Sequence, residues 1–92
     1  MTYQIEVKGE HIHLGQKKHC TLCPVARAIA SHFTNLTYVS VYPSQSMNTW
    51  FATVGDKDDR RLEYQLPKEV GYFIDAFDNG REVKPFTFQL GV

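Results

Sequence analysis

Residues 50–80 read WFATVGDKDDRRLEYQLPKEVGYFIDAFDNG, and this stretch decides the fold class. Trp50, Ala52 and Val54 alternate with Phe51 and Thr53, the period of a half-buried strand. Gly55-Asp56-Lys57-Asp58-Asp59 supplies turn residues, after which Leu62, Tyr64 and Leu66 alternate with Arg61, Glu63 and Gln65. Two such runs across a short polar turn predict a β-hairpin. Pro67 then opens a helix, with Glu69 in the first turn, where a negative charge suits the unpaired N–H groups. Val70, Phe73, Ile74 and Phe77 fall at i, i+3, i+4 and i+7 on one helical face, and Asn79-Gly80 offers a left-handed stop.

Upstream, Val39 and Val41 make the inner face of another strand, with Tyr38, Ser40 and Tyr42 on the other, and Pro43-Ser44-Gln45-Ser46 turns it into the hairpin. A further helix starts at Cys23-Pro24, because proline suits a first helical position whose N–H has no intrahelical partner. Val25, Ala26, Ile29 and Phe33 form its stripe, Arg27 and Ser31 face outward, and Thr34-Asn35 ends it. Tyr3, Ile5 and Val7 mark a first strand; Phe86, Phe88 and Leu90, entered through Pro85, mark a last one. Between them Gly9–Leu22 has no clean period and reads as a long loop. The predicted order is β-α-β-β-β-α-β. The simplest packing is an α+β fold with two helices on one face of a mainly antiparallel sheet, close to a ferredoxin-like split βαβ with an added strand.

Ninety-two residues fit a single domain, 1–92, with a thin core that makes a homo-oligomer a natural expectation. Six Phe, five Tyr and one Trp are large pieces for such a core. The net charge is zero, which counts against a nucleic-acid-binding domain, whose affinity needs a basic excess, and equally against an acidic DNA mimic. No apolar run approaches the roughly 20 residues of a membrane span. Met1-Thr2-Tyr3-Gln4-Ile5-Glu6 has neither the basic start nor the apolar stretch of a signal peptide. The expected location is therefore the cytosol, with Cys20 and Cys23 reduced.

Two stretches resemble known patterns. Gly15, with Cys23-Pro24-Val25-Ala26-Arg27-Ala28 following eight residues later, is similar to G-x7-C-P-[VI]-A-x-A, and Phe77-Asp78-Asn79-Gly80, Val83 and Pro85-Phe86-Thr87-Phe88 to F-D-x-G-x-x-V-x-P-F-x-F. Together they resemble a group of small uncharacterised proteins of bacteriophages, prophages and their hosts. The matched motifs cover about a third of the chain, and the group brings no catalytic residue with it. What the resemblance implies is an accessory protein in the host cytosol that binds a host protein or a small host signal, including those of antiviral defence.

Cys20-Thr21-Leu22-Cys23-Pro24 is the one stretch with reactive spacing. A helix N-terminus and nearby Lys17 and Lys18 favour a thiolate, but a thioredoxin-like site needs an apolar strand before it, and Gly15-Gln16-Lys17-Lys18-His19 is not one. Zinc is a second reading, since His11, His13, His19, Cys20 and Cys23 lie close in sequence, though a downstream ligand pair is missing. The plainer reading outweighs both: Cys23 packs beneath the helix as a small apolar side chain, and His11 and His13 form a polar edge beside Ile12 and Leu14. No Ser-His-Asp set, P-loop or dinucleotide-binding glycine motif occurs.

The expectation is thus a non-enzymatic binding protein. If its ligand is anionic and nucleotide-like, the N–H groups of Val25 and Ala26 with Lys17, Lys18 and Arg27 would hold the phosphate next to Cys23. Tyr38, Tyr42 and Trp50, with Phe51 and Tyr64 nearby, supply an aromatic strand face suited to a protein interface, and with the Gly9–Leu22 loop and the Cys23–Ala26 helix start they make one candidate binding surface. The alternatives are a zinc-clipped interaction domain using His11, His13, Cys20 and Cys23, and a thiol-redox protein.

Overall fold

The β-hairpin and its helix form as the alternation predicts. In the computed structural model, which describes residues 2–33, 36–44, 49–58 and 60–91, β3 is Trp50–Asp56, β4 is Arg61–Gln65 and α3 is Lys68–Asp78. Asp56 closes the hairpin turn: its Oδ1 accepts from the N–H groups of Asp58 and Arg60, and its Oδ2 meets Arg60 Nε at 3.0 Å. These bonds hold its carboxyl below the usual carboxylate range. The Leu66 N–H bonds back to Trp50 O at 2.8 Å, and Gly80, at φ +76°, provides the left-handed residue just past α3.

The remaining elements are β1 (Thr2–Val7), α1 (Gly9–Leu14), α2 (Pro24–His32), β2 (Leu36–Pro43) and β5 (Phe86–Gly91). All strand pairing is antiparallel, in a three-stranded sheet β2-β3-β4 and a two-stranded sheet β1-β5. The α+β class and antiparallel pairing are as expected. The single sheet is not: β5 lies beside β4 with no ladder between them among the described residues. The ladders therefore do not confirm the ferredoxin-like order. The expected helix end at Thr34-Asn35, and parts of both expected turns (Gln45, Ser46 and Asp59), lie outside the described residues.

One core joins both sheets to the helices. Ile5 and Val7 of β1, Val25, Ala26 and Ile29 of α2, Val39 and Val41 of β2, Ala52 and Val54 of β3, Val70 and Ile74 of α3, and Phe88 and Leu90 of β5 are all buried in it. Each large aliphatic side chain fully withdrawn from water contributes about 1.5–3 kcal/mol. The register explains the inner face: Val39 sits opposite Val54, Val41 opposite Ala52, and Ala52 opposite Tyr64.

Segment 9–22 departs from expectation. It is not one long loop, because residues 9–14 form α1, a six-residue helix. Six residues are too few to display a helical period, so the sequence signal was absent. The helix is held at its start by His11, whose Nδ1 accepts the Lys8 N–H at 2.9 Å. Ile12 packs on the core and Leu14 remains exposed.

Candidate binding surface and thiol cleft

The side chains singled out in the sequence separate into three places. The first is the turn before α2. Its backbone is tied closed: Gln16 N–H donates to Leu22 O, and Cys23 N–H to His19 O at 3.1 Å. His19 Nδ1 accepts from Leu22 N–H at 3.2 Å and lies 3.2 Å from Thr21 Oγ1, which places the ring proton on Nε2. Lys18 adopts the left-handed conformation at φ 56°, and its N–H donates to Asp78 Oδ1 of α3 at 2.9 Å. Val41 N–H on β2 donates to Cys20 O at 2.7 Å, so the turn also covers part of a sheet edge.

Behind this turn lies a cleft of about 180 Å³ lined by Lys18, His19, Cys20, Cys23, Tyr42, Trp50, Ile74 and Asp78 among others. Lys18, Cys23, Tyr42 and Trp50, all of the expected binding surface, line this one cleft together with Cys20. Cys20 is exposed and Cys23 is buried, both as free thiols. Burial pushes the Cys23 thiol up, against the pull of hydrogen bonds from the Ala26 and Val25 amides.

Those same amides correct the anion-binding expectation. Cys23 is the N-cap of α2, its Sγ accepts the Ala26 N–H at 3.4 Å, and Val25 and Ala26 are fully buried. Arg27 turns its Nε to Leu22 O at 3.1 Å. The helix start is closed by its own cysteine, leaving Lys17 and Lys18 exposed without an amide cradle beside them.

The two motif stretches meet here, and each has a structural reason. A Cβ on Gly15 would lie 2.6 Å from Pro24 Cδ and 2.8 Å from its backbone nitrogen, so only glycine fits under the Cys23-Pro24 step. Asp78 anchors Lys18, Gly80 takes its positive φ, and Val83 and Phe86 pack on the core, with the Phe86 ring 4.7 Å from that of Phe73.

The second place is α1, which carries His11 and His13. His11 is not an exposed edge but buried, with Nδ1 on the Lys8 N–H and Nε2 3.2 Å from Ser31 Oγ of α2. It lines clefts that contain neither cysteine, while His13 is exposed on the helix surface. Among the described residues no three His, Cys, Asp or Glu side chains are grouped to hold a metal ion. Burial also holds His11 below the usual histidine pKa.

The third place is the outer face of the three-stranded sheet. Tyr42 pairs directly with Phe51, their rings stacked 6.2 Å apart. Tyr38 pairs with Gly55 and lays its ring over it, since a Cβ on Gly55 would fall 2.4 Å from Tyr38 Cε1. The Arg61 guanidinium carbon stands 5.5 Å from the centre of that ring. The Tyr42 hydroxyl donates to Glu63 and accepts from Thr53 Oγ1 at 3.1 Å; the Glu63 bond raises its pKa. Trp50 does not belong to this face. It pairs with Pro43, one residue out of phase with Phe51, and lies half-buried against α3, where a Cβ on Gly71 would come within 2.9 Å of its Cδ1. Tyr64 is likewise turned inward and buried.

Sequence reasoning missed one groove, about 510 Å³, lined by Tyr3, Phe33, Leu36, Val54, Leu62 and Tyr64 with the Asp56–Arg60 pair at its rim. The visible signal was Leu62, assigned to an inner face yet 58% exposed there.

No known family matches the chain, and no curated protein or solved structure does either.

Proposed function

We propose that this chain is a non-enzymatic accessory protein of the phage type that acts by binding a host protein, such as a component of antiviral defence, through the outer face of its three-stranded sheet. The supporting observation is the half-exposed aromatic set Tyr38, Tyr42 and Phe51 on a face that lies opposite the helix-packed core. Aromatic rings flanked by an arginine and a carboxylate are the composition that protein interfaces favour. A small anionic signal is the weaker reading, because the Ala26 amide is occupied by Cys23 and a cleft of about 180 Å³ is below the ~300 Å³ at which ligand pockets begin.

The test is affinity capture from bacterial host lysate with the full chain and with a Tyr38→Ala/Phe51→Ala variant that keeps the wild-type circular dichroism. A host protein held by the wild type and lost by the variant is the expected outcome. Equal capture by both chains would refute the face. A nucleotide-sized mass travelling with the purified chain in native mass spectrometry would replace the reading with sequestration.

A further inference from the structure

The cleft beside α2 places two thiols of unequal exposure on one turn. Cys23 N–H bonds to His19 O at 3.1 Å, closing an α-turn that contains Cys20, and a turn closed in this way brings Cα atoms three residues apart to about 5 Å. That spacing lies inside the ~4.4–6.8 Å range a disulfide needs. Cys20 is exposed and available for attack, whereas Cys23 is 4% exposed and reaches no outside reagent. Both line one cleft with Trp50, the sole tryptophan of the chain.

We propose that Cys20 and Cys23 form a reversible dithiol–disulfide site whose exchange partner is a low-molecular-weight disulfide of the glutathione class. This inference is independent of the protein-binding reading. The Cys20 thiolate attacks one sulfur of the small disulfide, forming a mixed disulfide and releasing one small thiolate. Cys23 then gives up its proton to solvent, its sulfur attacks Cys20 Sγ, and the second small thiolate is expelled; the protons shed by Cys20 and Cys23 are taken up from solvent by the two small thiolates. The two protein thiols lose two electrons in all, and the small disulfide is reduced to two thiols. Burial of Cys23 makes the second step the slower one, so a mixed disulfide on Cys20 is a transient of the reaction.

The asymmetry also separates this pair from two incidental cysteines. An isolated exposed thiol would stop at the mixed disulfide, and an isolated buried thiol would not react at all. A neighbour within one turn converts the first outcome into a closed ring. Closure changes the surroundings of the Trp50 indole, which shares the cleft, so its fluorescence reports the redox state.

The experiment is equilibration of the native full chain in graded mixtures of reduced and oxidised glutathione, followed by acid quenching, intact mass and peptide mapping. The expected product is a monomer lighter by two hydrogens, with Cys20 and Cys23 in one cross-linked peptide, a matching change in Trp50 emission, and full reversal by dithiothreitol. Cys23→Ser should stop at a stable glutathione adduct on Cys20, and Cys20→Ser should remain unmodified while folded. A wild-type chain that keeps the adduct on Cys20, or gives only cross-linked dimers, overturns the proposal even if either variant fails to fold.

Discussion

The two sheets share a core but present opposite outer faces. On the β1-β5 sheet the directly opposed outer pairs are Gln4 with Gln89 and Glu6 with Thr87, all exposed and polar. On the β2-β3-β4 sheet the equivalent positions hold Tyr42 with Phe51 and Tyr38 over Gly55, with Ser40 opposite Thr53 between them. Both faces lie opposite the same core, so folding alone makes no demand for rings on one and amides on the other. A polar outer face is the ordinary solution for an antiparallel sheet with one solvated side. The aromatic face is the departure, and it motivates the binding reading.

The largest test of the comparison is whether the inner faces form one structure. Ile29 of α2 is fully buried in the core common to both sheets. Ile29→Ala should cost about 2–5 kcal/mol through lost burial and the cavity left behind. Urea unfolding followed by far-ultraviolet circular dichroism and by Trp50 emission should shift together. Separated transitions would mean that the two sheets unfold as independent units, and their outer faces would no longer be comparable.

Next in size is the seat of Tyr38. Gly55→Ala puts a methyl where the Tyr38 ring lies and should destabilise by about 1–3 kcal/mol. Adding Tyr38→Ala should recover part of that loss, an interaction that a double-mutant cycle in urea reads directly. No recovery would mean the ring is not held against Gly55, and the aromatic face would lose its best-fixed member.

How much of this was legible follows from which signals are local. Periodicity found β3, β4 and α3, and the residues it put in phase with the interior, Ala52, Val54, Val70, Phe73, Ile74 and Phe77, are all buried, whereas Leu62, in phase with Tyr64 and Leu66, is exposed. The same alternation already sets Trp50 in phase with the buried Ala52 and Val54 and Phe51 on the other face, so grouping Trp50 with Tyr42 runs against the period; the register adds only that Phe51 stands directly opposite Tyr42. Periodicity missed α1, which depends on a histidine folding back on Lys8 rather than on a stripe. The anion cradle looked sound because proline marks a helix start. Which group occupies the first amides is a matter of the Cys23 side-chain rotamer, and no spacing rule carries that. Lys18, Cys23 and Trp50 were expected on one surface, but the tie that shapes their cleft, Asp78 of α3 under the Lys18 amide, has no local signal in the sequence.

A pH test probes the α1 side of the β1-β5 half. His11 accepts the Lys8 N–H through Nδ1, so a proton there would abolish that bond. Desolvation is the largest influence and disfavours the charged ring, Lys8 and Arg27 act in the same direction, and Glu10 and Glu6 oppose them, so the folded pKa lies below the reference of 6.5. The unfolded chain then binds the proton more readily, and stability falls as pH drops below about 6.5 until the folded pKa is passed. His11→Gln, which keeps a hydrogen-bonding side chain but cannot titrate, should flatten that part of the urea-midpoint profile. An unchanged slope would assign the loss to other groups and leave α1 indifferent to the proton.

The smallest expected effect gives the most direct trial of the comparison. Gln4 and Gln89 stand opposite each other as Tyr42 and Phe51 do, on a face with the same antiparallel geometry. Gln4→Tyr with Gln89→Phe therefore transplants the aromatic pair from one sheet to the other. Cross-strand aromatic pairs contribute about 0.2–1 kcal/mol, so the doubly substituted chain should be as stable as the wild type or slightly more so, read from urea midpoints at constant m-value. It should also capture no new partner while retaining the original one. That result would mean the sheet tolerates rings on either outer face and that fold stability did not select their position. A loss of stability would mean that rings need a seat such as Gly55 beneath Tyr38, and the contrast between the faces would then reflect packing before recognition.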